Sequence, residues 1–538
     1  MTAEHALTLL VMVQLCHSLG HSCPDGCHCF TPYKVFCADE EITAVPQNIS
    51  ASVKELVMVT TSLNLIKTGA FKDSPGLSKI ILVNNLITEV KQGAFGDLQE
   101  LQELEINGNQ LKELSVEVFS PLTSLKNLNL NFNKFQALNN GLLDPLINLE
   151  ILHLKGNIIT GLPNNVFHQL HKLQILDLSQ NRIAVIQREL FKALSDLQTL
   201  RLNENIIVTL DAHVFDDLLS LKELSLHGNR ITVLPDNIFK KLNVLENLYL
   251  QGNFINFLPS AIFHFLHNLE LLDLTSNHLR KIQHFKTMPK LTKLYLAKNQ
   301  LTTVPGEAFR NLRKLHELAL SENQITHLPN TTFHGLFKLE KLYLQKNNLT
   351  SLDEGLFQDL SNLQLLSLNK NLLHTISEGL FDPIGIMPYA TLHDNPWICD
   401  CHLLYLHDWV QYNIDNLMHS KMVLCESPEH LGGQSLISLR KKQLICVSEA
   451  HPPCNSQPQS ENTPAISTPP PEAIPSQCSL TDVDGTSIIN CVISKCPVIK
   501  VESQIFDDDY KNGFNHSLFS DWSQSSQCAK ATLTIIIN

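Results

Sequence analysis

Leu101-Gln-Glu-Leu104-Glu-Ile106-Asn-Gly-Asn109-Gln-Leu111 is a phrase that the chain repeats between Thr61 and Asn395. With Asn109 as the reference, asparagine returns at positions 85, 133, 157, 181, 205, 229, 253 and 277, and then at 299, 323, 347, 371 and 395. Every step is 24 residues except the 22 between Asn277 and Asn299, and a degenerate first copy has Thr61 where the asparagine would stand. A unit this short cannot bury its own leucines, so neighbouring copies must stack around a common core. The expected architecture is an α/β solenoid in which each copy contributes one short strand, such as Leu104 to Asn107, to a parallel sheet. That sheet would run roughly 70 Å along its inner arc.

A second column faces the first. Phenylalanine follows ten places after each key position at Phe71, Phe95, Phe119, Phe167, Phe191, Phe215, Phe239, Phe263, Phe309, Phe333, Phe357 and Phe381. Leu143 replaces it in one copy, and Phe285 arrives two places early in the shortened one. The aromatic side is bulkier and its backbone less extended than a strand, so the stack should bend into a horseshoe with the sheet on the concave wall. Inside such a core a column of asparagines is tolerable only if every amide is paired, which their double donor and acceptor capacity permits. They are assigned a structural role and no binding role.

A chain of 538 residues would ordinarily divide into several domains, but a solenoid grows in one dimension, and most of this length is one array. The net charge of −13 argues against nucleic acid and anionic membranes. It leaves either a basic partner or plain solubility.

Fourteen cysteines lie toward the ends, with none between Cys37 and Cys399. Cys23, Cys27, Cys29 and Cys37 precede the array; Cys399, Cys401, Cys425 and Cys446 follow it; Cys478, Cys491, Cys496 and Cys528 lie near the C-terminus. Such clusters point to disulfides in an oxidising compartment. Zinc is the rival, since Cys23-x3-Cys27 and Cys491-x4-Cys496 have ligand-like gaps, but neither cluster repeats that gap in a second pair. No metal or other cofactor is expected.

Along the chain, residues 1–22 carry an apolar run from Ala6 to Leu15 followed by Ser18, Gly20 and Ser22, which fits a cleaved secretory signal and takes Cys16 with it. Its leading part has no Lys or Arg. Residues 23–52 form an amino-terminal cysteine cap over the first strand's open edge, residues 53–394 the array, and residues 395–446 a carboxyl-terminal cap. Among three connectivities per cap, the pairs taken are Cys23 with Cys29, Cys27 with Cys37, Cys399 with Cys425 and Cys401 with Cys446. A helix is expected from His402 to Tyr412, with Leu403, Leu406 and Val410 at helical spacing. Residues 447–477 are rich in Pro, Ser and Thr and read as an extended linker holding Cys454, which is left over for an intermolecular bridge or a free thiol. Residues 478–538 return to strand chemistry at Thr486 to Ile493, Val498 to Glu502 and Ala531 to Ile537. This small β module needs its own cysteines to be stable. Its ending is too short to span a membrane.

Sequons occur at Asn48, Asn330, Asn348 and Asn515, giving four glycosylation candidates. Catalytic signatures are missing. His267-Asn-Leu-Glu270 imitates a zinc-ligand pair, yet Leu269 is the recurring first leucine of its copy, which makes its flanking residues ordinary positions before a strand. No His-Glu-x-x-His, Gly-x-Ser-x-Gly or phosphate-binding glycine loop is present. The chain reads as a binding scaffold, not an enzyme.

Contacts would use side chains six, four and two places before each asparagine, which point off the sheet. The middle column supplies Tyr249, Asp273, Tyr295, Ala319 and Tyr343, and the first column adds Lys293 and Lys341. Tyrosines with lysines on a rigid wall suit a protein partner, because an aromatic ring supplies area at low entropy cost. A solvated face touching nothing is the alternative. The 22-residue copy lies within this patch and should alter its curvature.

Three stretches carry a family resemblance: Cys23-Pro-Asp-Gly-Cys-His-Cys-Phe30 with Val35-Phe-Cys-Ala-Asp-Glu-Glu41, then Leu128-Asn-Leu-Asn-Phe-Asn133, then Asn395-Pro-Trp-Ile-Cys-Asp-Cys-His-Leu403. With the cysteine pattern of the tail, the mature chain resembles the regulatory, non-catalytic leucine-rich-repeat subunits of plasma carboxypeptidase N. The resemblance implies a secreted plasma glycoprotein that binds and stabilises a zinc carboxypeptidase catalytic subunit, one that trims C-terminal Lys or Arg from peptides. It also implies a tetramer of two catalytic and two regulatory chains. The proline-rich linker and Cys454 depart from the pattern. A recognition or adhesion protein for a growth factor, matrix component or microbial ligand is the alternative.

Overall fold

A computed structural model describes residues 23–47, 49–283, 285, 287–385 and 389–446, together with the strands Gln477–Val483, Thr486–Ile493 and Ala531–Ile537. The leader expected at residues 1–22 with Cys16, the sequons at Asn48 and Asn515, the proline-rich stretch with Cys454, the strand expected at 498–502, Cys496 and Cys528 lie outside the described residues. The chain divides into two units, residues 1–450 and 451–538.

The first unit is built on a 17-stranded sheet. Its opening hairpin pairs Cys27–Thr31 antiparallel with Lys34–Cys37, and every later neighbour is parallel, beginning with Glu55–Val59. Register never slips between copies: Leu104 sits beside Leu128, Leu128 beside Leu152, and so on to Leu366 beside Ala390. The paired segment is shorter than the sequence suggested, Glu103–Glu105 rather than Leu104 to Asn107. Inter-copy hydrogen bonds nonetheless continue past it, from Ile106 N–H to Asn129 O at 2.8 Å and from Gly108 N–H to Asn131 O at 3.0 Å. The chain then turns. The residue before each asparagine takes a left-handed conformation, which Gly108, Gly156, Gly228 and Gly252 adopt freely and Phe132 adopts at φ 52°.

All 14 ladder asparagines are buried, none more than 8% exposed. Asn205 shows how each amide is satisfied. Its Oδ1 accepts from Ile183 N–H at 3.0 Å, and its Nδ2 donates to Leu178 O at 3.0 Å and Leu202 O at 3.1 Å. One amide therefore ties the strand exit of its own copy to two places in the copy before. At the degenerate first position Thr61 Oγ1 donates to Asn85 Oδ1 at 2.6 Å, so the ladder begins on a hydroxyl.

Opposite the sheet the outer arms are tight turns closed by short-range bonds, such as Leu122 N–H to Phe119 O at 2.9 Å. Their phenylalanines stack, with neighbouring ring centroids 5.7 to 6.5 Å apart and ring planes within 8 to 19° of each other. Parallel strands sit about 4.8 Å apart. Since the aromatic step is longer than the strand step, the stack bends with the sheet inside, and the concave wall follows from the two spacings.

The shortened copy does not disturb either column. Leu279 N–H still reaches Asn299 Oδ1 at 3.0 Å, and Phe285 still stacks between Phe263 at 6.4 Å and Phe309 at 5.9 Å. The change of curvature expected there is absent from the spine spacing. The two missing residues leave instead a cavity of about 210 Å³ on the outer side, lined by Leu258, Pro259, Ile262, Phe263, Phe285 and Met288 among others.

Caps close both ends. Disulfides join Cys23 to Cys29 and Cys27 to Cys37 at one end, and Cys399 to Cys425 and Cys401 to Cys446 at the other. After a short 3-10 turn at Cys401–Leu403 the cap helix runs Leu404–Tyr412, burying Leu406 and Val410. Its outer aromatics finish the spine: Trp409 lies 4.7 Å and Tyr405 6.4 Å from the Phe381 ring. Trp397 is fully buried and donates from Nε1 to Leu392 O at 3.2 Å. Among the described residues, no helix is long and apolar enough to cross a membrane.

In the second unit the described strands form a three-stranded antiparallel sheet with Thr486–Ile493 in the middle. The strand Gln477–Val483 was not expected and begins on the last residue assigned to the linker. Its register sets Cys478 opposite Cys491.

Candidate partner-binding face

Because the register is constant, residues at equal positions in successive copies are lateral neighbours. Tyr249, Asp273, Tyr295, Ala319 and Tyr343 therefore form one row across the concave wall, and Lys293, Glu317 and Lys341 form the row beside it. The tyrosines and lysines stand out in the sequence. Glu317, which lies between them, does not. Ala319 is small, and the Glu317 carboxylate lies in the copy between Tyr295 and Tyr343, close enough to raise the pKa of both phenols. Lys341 Nζ stands 3.7 Å from the same carboxylate. Glu317 keeps only 17% of its side chain exposed, whereas Lys341 keeps 47%. The signal lies in the same columns, six places before Asn323, but an acidic residue falls outside an aromatic-and-basic pattern.

This packing changes the phenols. Burial pushes the Tyr295 hydroxyl well above the usual tyrosine range, and the negative charge of Glu317 pushes it further. Tyr343 moves the same way, first through burial and then through Glu317. Tyr249 is also raised, by burial and then by Glu223 and Asp273. The three rings are thus neutral, partly sheltered and fixed in place, while Lys293 and Lys341 remain exposed beside them. Such a surface offers aromatic area, phenolic donors and two cations to a partner.

Toward the amino-terminal side the wall is more polar. Arg201 Nε bonds Glu223 Oε1 at 3.0 Å, and burial lowers the imidazole pKa of His153 and of His227. Ser225 Oγ lies 2.8 Å from His227 Nδ1, with Glu204 Oε1 4.0 Å from Nε2. Those are the residue types of a hydrolytic triad. Ser225, however, is only 4% exposed, which removes its hydroxyl from any substrate.

The metal-like features fare no better. His267 Nδ1 lies 3.1 Å from Thr287 O, a contact with the arm of the next copy. Cys401, His402 and Cys446 bring potential ligand atoms within 4.8 Å of one another, but the two sulfurs are joined in one disulfide and cannot serve as thiolates. Of the sequons described, Asn330 and Asn348 are both exposed.

Comparison with known proteins agrees with this architecture. The family described as leucine rich repeat matches residues 51–111, 75–135, 123–183, 171–231, 220–279, 289–349 and 337–387. Human carboxypeptidase N subunit 2 is 41% identical over 154 residues, 27% of this chain and 27% of the relative. The mouse protein of the same name is 37% identical over 152 residues with the same coverage. The match thus spans about a quarter of either relative. Among solved structures, the TLR13–ssRNA13 complex superposes with a TM-score of 0.59 at 25% identity, covering 73% of this chain and 61% of that one. The glycosylated Drosophila Toll–Spatzle complex gives 0.65 at 25% identity, covering 74% and 56%.

Proposed function

The chain belongs to the leucine-rich-repeat family, and from that membership we propose that it is a secreted, non-catalytic scaffold that holds a zinc carboxypeptidase chain and stabilises it in plasma. The observation carrying this reading is the 41% identity to human carboxypeptidase N subunit 2, named as one subunit of an enzyme. The concave wall supplies a surface suited to the task. Tyr249, Lys293, Tyr295, Lys341 and Tyr343 are the contact residues, with Glu317 between the last three. Binding rather than chemistry is the role of a wall on which Ser225, the serine that meets His227, is buried. Two scaffold chains and two catalytic chains make up the assembly, and glycans at Asn48, Asn330, Asn348 and Asn515 add bulk that slows clearance.

A direct test mixes the purified full chain with the carboxypeptidase N catalytic chain and measures the Kd, then repeats it with Tyr295→Ala plus Tyr343→Ala. Loss of two central aromatic anchors should weaken binding at least about tenfold. Unchanged affinity would move the site off this wall, and no binding by the parent chain would end the reading. The Toll–Spatzle resemblance favours a second reading, recognition of a secreted protein ligand. Recovery of such a ligand from plasma, with no carboxypeptidase, would select it.

A further inference from the structure

We propose that Asn330 carries an N-linked glycan, and that the Thr332 hydroxyl serves that modification rather than the fold. Among the described residues, the one before a spine ring faces the core. Val118, Val166, Val214, Ile238, Ile262 and Leu356 hold this place at 4% exposure or less. Every described residue in the column is Ala, Val, Leu or Ile with one exception, Thr332. Thr332 is fully buried, and its Oγ1 has no hydrogen-bond partner.

A buried hydroxyl left unpaired destabilises a fold. Valine has nearly the same shape without that oxygen, and the column already uses it three times. Folded-state packing therefore gives no reason for threonine here. The unfolded chain does, because Asn330-Thr-Thr332 is a sequon whose hydroxyl is read by the transferase. Asn330 itself is exposed at the start of the outer turn after Pro329, where a sugar projects into water. In the neighbouring sequon Thr350 is exposed, so its hydroxyl is solvated and says nothing either way.

The chemistry also sets an order of events. The Asn330 amide nitrogen bonds to the anomeric carbon of an oligosaccharide, that carbon's bond to a lipid-linked diphosphate breaks, and the amide proton passes to a base on the transferase. The acceptor segment must lie in an extended, accessible form during this step. With Thr332 sealed beneath the Phe333 turn, transfer precedes closure of that copy.

The test uses the full chain made in cultured animal cells. Peptide mapping after enzymatic release of N-glycans, which converts an occupied asparagine to aspartate, should find the conversion at position 330. Thr332→Ser should keep it and Thr332→Val should lose it. Once both proteins are deglycosylated, Thr332→Val should melt at the same temperature as the parent or higher. An unconverted Asn330 in the parent overturns the proposal. So does a deglycosylated Thr332→Val that melts several degrees lower, since the hydroxyl would then belong to the fold. Should Thr332→Val not accumulate, Asn330→Gln separates the causes: its equal failure assigns the loss to the missing glycan, and its normal accumulation assigns it to the fold.

Discussion

Asn205 shows why a polar column survives in a leucine core. Its four bonds to backbone groups satisfy atoms that no strand partner can reach. Asn205→Ala should cost about 1–3 kcal/mol, because those groups stay buried and unpaired. Leu200→Ala, at a fully buried site, should cost about 2–5 kcal/mol through the cavity it leaves. Urea melts of the two variants check both figures. The phenols make a prediction about pH. Burial and the Asp382 carboxylate beside it hold the Tyr405 hydroxyl up at about 12, and Tyr249, Tyr295 and Tyr343 are raised as well. A raised folded-state pKa means that the native chain keeps a proton the unfolded chain loses above about pH 10. The stability from Tyr405 is therefore complete below about pH 10 and is lost as pH climbs from there to about 12. Denaturation at stepped alkaline pH should show this decline, and Tyr405→Phe should make it shallower. The ladder's role was readable from spacing and amide chemistry. Glu317's was not, because its meaning depends on having a tyrosine in the copy before and another in the copy after.

The single copy is an element with two anchors, an amide at the strand exit and a ring at the outer turn. The 22-residue copy keeps both and loses residues only between them, so the outer arm absorbs length changes that the sheet does not tolerate. End elements have a different task. The hairpin Cys27–Thr31 with Lys34–Cys37 covers an edge that would otherwise present unpaired backbone groups, and the Cys27–Cys37 bridge holds it closed. Cys27→Ser with Cys37→Ser should lower stability by about 2–4 kcal/mol, measured by thermal melting of the purified protein. At the other end the cap helix was legible from its leucine spacing. Its second job was hidden: Trp409 and Tyr405 continue the phenylalanine stack, a contact that joins them to Phe381, about one period earlier, in one column. The strand Gln477–Val483 is hard to see in the sequence because it starts where a proline-rich composition still dominates.

For the array taken together, repetition makes length a free variable and register a fixed one. Deleting residues 206–229, one full period, should leave a chain that folds and melts in a single transition, since Asn205 would then meet the next copy in unchanged register. Removing half that length should lower the melting temperature, because the roughly 12 residues left in that copy cannot reach from the sheet to the outer turn and back, and the stack is broken there. The stacked core, the paired amide ladder and the cysteine-closed ends follow from the order of residues, because a period of 24 leaves each leucine one place to go. Which wall is concave rests on a comparison of distances, a ring step of 5.7 to 6.5 Å against the shorter strand step. The effect of Glu317 on Tyr295 and Tyr343 and the orphaned oxygen of Thr332 likewise depend on what lies alongside. A linear pattern records how often a residue type returns; only closure of the stack sets which atoms from different copies meet and which find no partner.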